Sequence, residues 1–394
     1  MNIQSFFSYF LFLFLAGCSS DQVKLVNKKQ NSLESSVKLE VIIEKKFSLD
    51  NETAPKAQYT QLFESSDSVR YFTFLNKYNN TIYFYDYSTQ RFFKKLEYKN
   101  RGPEAIQNIS AYYIKSLDSI YLYCKPLPIV ILVNDKGKVL QRISLIGDRH
   151  NPKWFFHYPQ YFPLTVTPFI ETSEELLLPG QFMGSSTNFL IDFFKFTARI
   201  NLKTHNLSFS FLYPQDLYDP SYNWEGRLFT EIFAELHPDG NKLILSFPIS
   251  HDLYIADLKS EEYQKVFAGS NFAGTISSID RNPRKTSDRM SLDHFVLIDT
   301  YSTIKYDKYR KIYYRFLLNA IQKDSERSYW REKPVTIIVM DENFNYLGET
   351  AIGKGEVEWY WQNSFVTKEG LNIEYIIRDN EDSLILKIFS LKNI

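Results

Sequence analysis

Short runs of aromatic and β-branched residues, separated by brief polar turns, recur through most of the chain. Residues 69–102 set the pattern. Val69–Leu75 reads as a strand, Lys77–Asn80 as a turn, Thr81–Tyr87 as a second strand, and Arg91–Tyr98 as a third after Ser88–Gln90. Asn100–Pro103 leads away. The product is a β-meander.

The same unit can be traced to the C-terminus in four-strand groups. The first takes Gln58–Glu64, Val69–Leu75, Thr81–Tyr87 and Arg91–Tyr98. The second takes Ile109–Ser116, Ser119–Cys124, Ile129–Asn134 and Val139–Ile146, with Asp135-Lys-Gly137 as a hairpin turn. The third runs through Leu164–Thr172, Glu175–Leu178, Asn188–Leu202 and Leu207–Tyr213. The fourth has Phe229–Leu236, Lys242–Phe247, Asp252–Leu258 and Tyr263–Ala268. A fifth takes His294–Tyr301, Lys311–Leu318, Val335–Asp341 and Tyr346–Ile352. The sixth has only three strands: Glu358–Val366, Leu371–Arg378 and Ser383–Leu391. Three outer strands end on an apolar-then-Gly phrase at Gly147, Gly269 and Gly353, which fits a positive-φ exit towards the next unit.

Which faces are apolar decides how such units stack. In Thr81–Tyr87 the side chains of Ile82 and Phe84 point one way, and Tyr83, Tyr85 and Tyr87 the other. Ile129–Val133 and Val335–Met340 are apolar on both faces too. A sandwich sheet with one wet face would alternate apolar with polar. A propeller blade is covered on both sides and need not. The isolated strand Val37–Phe47, with no hairpin partner, is available to complete the three-stranded last unit and close a ring. The expected fold is therefore all-β: a six-bladed β-propeller over 37–394, closed by that N-terminal strand. Seven blades are the alternative, because the third and fifth units are long.

Residues 1–17 carry no charged side chain, and Phe10–Leu15 is an apolar run too short to span a bilayer. Leu15-Ala-Gly-Cys18 follows. This reads as a signal peptide with the lipobox of a bacterial lipoprotein, Cys18 being the acylated residue. Residues 18–36, rich in Ser, Asn, Gln and Lys, read as a flexible tether. Once Cys18 is lipidated, Cys124 is the one thiol left, and its strand context makes it a small buried apolar residue. The lipobox, the aromatic four-strand units and Gly102-Pro103-Glu104 together resemble six-bladed, TolB-like propeller lipoproteins of Gram-negative bacteria, a family of uncharacterised function. The resemblance covers most of 37–394 and carries no catalytic residues. It implies a cell-envelope protein, and Ser19 after the cysteine points to the outer membrane.

Lysine plus arginine and aspartate plus glutamate are balanced at 46 each in 394 residues, so no global field attracts nucleic acid. The six histidines show no metal-ligand spacing, and no nucleophile elbow, P-loop or dinucleotide fingerprint is present. Neither a metal nor a cofactor is expected, and the chain is expected to act as a monomer. Tryptophans instead concentrate in insertions. Asp148–Pro163 holds Trp154 and Tyr158, Pro214–Arg227 holds Tyr222 and Trp224, and Ala320–Lys333 holds Tyr329, Trp330 and Arg331. Aromatics with arginine in loops are what a recognition surface uses, although they also plug gaps between loop and blade. A fourth insertion, Asn271–Asp293, reads as a solvated mobile loop. The reading that follows is a membrane-anchored, non-catalytic binding propeller for a protein, peptide or glycan. A lactonase- or glycosidase-like hydrolase using the central funnel is the alternative, on fold analogy alone.

Overall fold

A computed structural model describes residues 22–53, 57, 59–126, 128–147, 150, 154–183, 192–225, 227–279, 287–321 and 329–394. Six four-stranded antiparallel sheets succeed one another along the chain. Blade 1 runs Thr60–Glu64, Arg70–Asn76, Thr81–Asp86 and Phe92–Glu97 from the axis outward. Blade 2 follows with Ile109–Ser116, Ser119–Cys124, Ile129–Val133 and Val139–Ser144. Blade 3 has Ile170–Glu171, Glu175–Pro179, Thr197–Asn201 and Leu207–Ser210. Blade 4 has Phe233–Leu236, Lys242–Ser246, Asp252–Asp257 and Tyr263–Phe267. Blade 5 has Thr300–Asp307, Ile312–Leu318, Pro334–Asp341 and Tyr346–Lys354. Blade 6 takes Trp359–Val366, Leu371–Tyr375 and Ser383–Asn393 from the C-terminus and its outermost strand, Val37–Ser48, from the N-terminus.

That last pairing closes the ring at six. Val37 lies opposite Asn393 and Phe47 opposite Leu384, with one bulge between Val41 and Ile43. The outer strand of blade 5 runs beside it so closely that a side chain at Gly348 would collide with the Val37 carbonyl.

Two-faced burial is the rule for the middle strands. All of Ile312–Leu318 is buried, as is Val335–Met340, whereas the outer strands Phe92–Glu97 and Val139–Ser144 are largely exposed. Apolar side chains on each face pack against the adjacent blade, giving three clusters that together circle the axis. Cys124 is buried in one of them, and burial raises its thiol to about 12.

Several boundaries differ from the sequence reading. Leu164–Thr172 contributes only Ile170–Glu171 to a sheet, because its first half turns across the axis. His294, read as the start of a strand, lies in the helix Asp288–Leu297, which Ser287 caps by accepting the Met290 N–H. That helix takes up the end of the expected solvated loop, from Asp288 to Asp293. The supposed tether 18–36 is, from Val23 onward, held against the ring: Asn27 is buried and donates to the carbonyls of Ser270 and Ala273, both at 2.8 Å. Gly353 has the expected positive φ, 121°, but Gly147 and Gly269 do not. Their smallness serves close approach, since the Tyr158 hydroxyl fills the space over Gly147 and the Phe267 and Tyr301 rings that over Gly269.

Blades 4 and 5 are locked by one cation. Arg315 is fully buried and lies 3.9 Å from the Tyr301 ring centroid. Its Nε donates to Ser246 Oγ, Nη1 to the carbonyls of His251 and Ala268, and Nη2 to those of Ser250 and Asp252. All five N–H groups are thus used. Burial lowers its pKa to about 10, which leaves it charged at neutral pH. Replacing Arg315 with Leu leaves buried acceptors without donors, and should cost about 3–5 kcal/mol, or folding altogether. Arg315→Lys should retain part of the loss; the urea midpoint of each variant checks the order.

Candidate functional site

The innermost strand of every blade runs in the same direction, so two kinds of connection open at one end: those between blades, and those between second and third strands. All four long insertions are of these kinds. They therefore gather at one end of the ring.

There they are joined to each other. Gln160 and Gln181 exchange two backbone hydrogen bonds of 2.9 Å, and Gln181 Nε2 donates to the Arg227 carbonyl. The Ile279 N–H donates to the Asn223 carbonyl, and the Ile321 N–H to that of Val296. Rings continue the seam from Trp224 to Phe229 (6.1 Å between centroids), Phe229 to Phe295 (5.6 Å) and Phe295 to Trp330 (6.4 Å). Lys333 ties the last insertion to the helix end: its buried Nζ donates to the carbonyls of Phe295 (2.7 Å) and Ile298 (2.6 Å). Burial brings this amine down to about 7. The described parts of the insertions form one cap.

The cap sorts the expected contact residues. Trp224 is fully buried, its Nε1–H donating to the Leu217 carbonyl at 3.0 Å, so it packs the loop and presents nothing. Tyr222 is half-buried against the same core. Tyr158 is half-buried over the outer edge of blades 2 and 3, 5.5 Å from Phe209. Trp154 starts the helical turn Trp154–His157, and its side chain lies outside the described residues, as does Cys18. Only Tyr329, Trp330 and Arg331 converge. Arg331 is exposed, with its guanidinium 4.9 Å from the Trp330 centroid and 5.4 Å from that of Tyr329. Its Nη1 donates to the Tyr329 hydroxyl at 2.6 Å, and its Nε lies 3.3 Å from Glu356 Oε2.

Glu356 links this stack to a polar axis that the sequence reading missed. Gln362 Nε2 also donates to it, at 3.1 Å. Nearby, burial and then the Glu356 charge raise Glu231 to about 7. Deeper in the ring, the turn 164–167 crosses the middle. Thr165 Oγ1 donates to Asn363 Oδ1 (2.6 Å) on blade 6 and accepts the Thr60 N–H (2.9 Å) of blade 1. Its carbonyl lies 3.5 Å from Lys305 Nζ on blade 5. A turn bonded to the innermost strands of three blades must sit on the axis, where it plugs the ring. Lys305 also faces Glu235 of blade 4 at 3.6 Å. Burial lowers the lysine and raises the glutamate, while their attraction opposes both shifts. Asn363 further donates to Glu374. No spacing in the sequence could have assembled these residues, which come from six different segments. Among the described residues no group of three His, Cys, Asp or Glu side chains could hold a metal ion.

Six four-stranded blades around a plugged axis, with one elaborated end, make the molecule a six-bladed β-propeller. Residues 11–351 match a family described as a domain of unknown function, DUF4221, and the chain belongs to that family. The crystal structure of a DUF4221 member from Bacteroides vulgatus superposes with a TM-score of 0.74 at 17% identity, covering 91% of this chain and 99% of that one. A Bacteroides fragilis protein, provisionally described as exported, gives 0.51 at 11% identity, covering 90% and 95%. Both likenesses concern the fold. No curated protein matches the chain.

Glu231 yields a pH prediction. Its folded pKa lies above the unfolded 4.5, so the folded state holds the extra proton and stability falls as pH rises from about 4.5 to 7. Glu231→Gln should therefore raise stability at pH 8 by about 2 kcal/mol and leave it unchanged at pH 4. Thermal melts of both proteins at the two pH values test this.

Proposed function

We propose that this DUF4221 propeller is an envelope lipoprotein, acylated at Cys18, that works as a non-catalytic binding platform, in the manner of TolB-like propellers. Its contact face is the cap, and its ligand is a protein, peptide or glycan. The observation that carries the reading is the gathering of every long insertion at one end, where they are bonded into a single surface. The Tyr329–Trp330–Arg331 stack, with Tyr329 and Arg331 exposed and Trp330 half-buried against the core, supplies the chemistry: an aromatic surface for a sugar ring or an apolar side chain, and a planar cation for a carboxylate or phosphate. Ser19 favours the outer membrane.

The hydrolase alternative draws on one observation. Glu231, titrating near neutrality beside Glu356, is poised as a general acid next to a second carboxylate. The plug at Thr165 confines any substrate to the mouth.

Glycan and peptide arrays probed with the soluble domain test the platform. Trp330→Ala and Arg331→Ala should each weaken binding roughly tenfold or more while leaving the melting temperature within a few degrees. No binding on either array, together with turnover on ester, lactone or glycoside panels that Glu231→Gln abolishes, would establish the alternative.

A further inference from the structure

The chain emerges from the cap. Lys24–Leu25 pairs antiparallel with Ile276–Ser277, a segment of the connection between blades 4 and 5. The Val23 N–H donates to Ser278 Oγ (3.0 Å), and the Ser278 N–H to the Val23 carbonyl (2.9 Å). Ser277 in turn accepts from His294 Nε2 at 2.7 Å, which fixes the pair to the helix Asp288–Leu297. From there the chain descends the outer edge of blades 4 and 5. His251 Nε2 donates to the Leu25 carbonyl, Leu33 N–H to Asn271 Oδ1, and Ser36 N–H to the Leu347 carbonyl. Only at the opposite end does it reverse into the closing strand Val37–Ser48.

This path fixes where an anchor would pull. Three residues, 19–21, separate Cys18 from Gln22. Fully extended, that interval reaches about 14 Å. Acyl chains on Cys18 would thus hold the bilayer within that distance of the cap end, with the opposite end turned away.

The cap is dressed for such a neighbour. Beside the emerging chain, Met290, Leu292 and Leu297 of the helix are 37–45% exposed. Lys24 and Lys28 are exposed along the same segment. The far end exposes Tyr309 in a turn, and Phe92, Phe93 and Leu140 where the outer strands of blades 1 and 2 begin. Apolar side chains flanked by cations are what a monotopic protein lays about 5–10 Å into the headgroup boundary.

We infer that the cap is the membrane-apposed face, its exposed apolar side chains seated in the headgroup region of the bilayer that holds the acyl chains. The inference rests on the reading of Cys18 as acylated, and it names where the ligand of the Tyr329–Arg331 stack is met: at the bilayer surface.

The full chain, produced with its signal peptide and reconstituted into phosphatidylethanolamine–phosphatidylglycerol vesicles, supplies the test. Leu297→Cys, Met290→Cys and Tyr309→Cys each add one exposed thiol for an environment-sensitive fluorophore, while Cys124 is buried and silent. Brominated lipids should quench the labels at 297 and 290 and spare that at 309, with a blue shift confined to the first two. Mass spectrometry of the same samples reads the state of Cys18. Acylated protein whose cap labels are quenched no more than the label at 309 overturns the orientation and leaves the anchor standing. An unmodified Cys18 overturns both.

Discussion

Everything in this molecule depends on a pairing between the two ends of the chain. Val37–Ser48 hydrogen-bonds along nearly its whole length to Ser383–Asn393, and without it blade 6 would have three strands and an open edge. Each blade hides both faces against neighbours, so a gap anywhere in the circle would expose two apolar sheets at once. Closure is what allows strands as uniformly apolar as Ile312–Leu318 to exist in water.

Within the closed ring, the largest buried polar groups are answered by several partners each, while single hydroxyls such as those of Tyr98, Tyr161 and Tyr313 are buried without one. Arg315 uses five donors between blades 4 and 5, and Thr165 binds blades 1, 5 and 6 at the axis. The buried basic groups Arg315 and Lys333 donate to carbonyls at strand and helix ends. The cap is built on this base, so its presented side chains are held by a rigid support.

The fold was legible because its signals are local and repeated. Strand content and turns located the second blade almost residue for residue, and the unpaired Val37–Phe47 announced the closure. Reading failed where tertiary context overrides local preference. His294 sits in a helix because Ser287 caps it locally and Lys333, from a separate insertion, holds its end. Polarity alone suggested that 18–36 was a tether, but Asn27 and Ser36 spend their polar groups on the carbonyls of the blades. The insertions could be placed at one end from strand counting. Their burial could not: Trp224 and Trp330 look alike in sequence, and only packing distinguishes the fully buried ring from the half-buried one. The axial group of Thr60, Thr165, Glu231, Lys305 and Asn363 carries no motif, since it exists only once the ring is complete.

The end-to-end closure also sets an order of events in biogenesis. Val37–Ser48 is made before every other strand of the six blades, and its partner Ser383–Asn393 after them. The folding chain must keep an aromatic-rich, two-faced ring unsealed until that partner has been made, holding a long-range contact open at the entropic disadvantage that such separation brings. Premature termination near the C-terminus therefore differs from ordinary truncation: it deprives the earliest strand of its only ladder and turns the whole propeller into a substrate for chaperones and proteases.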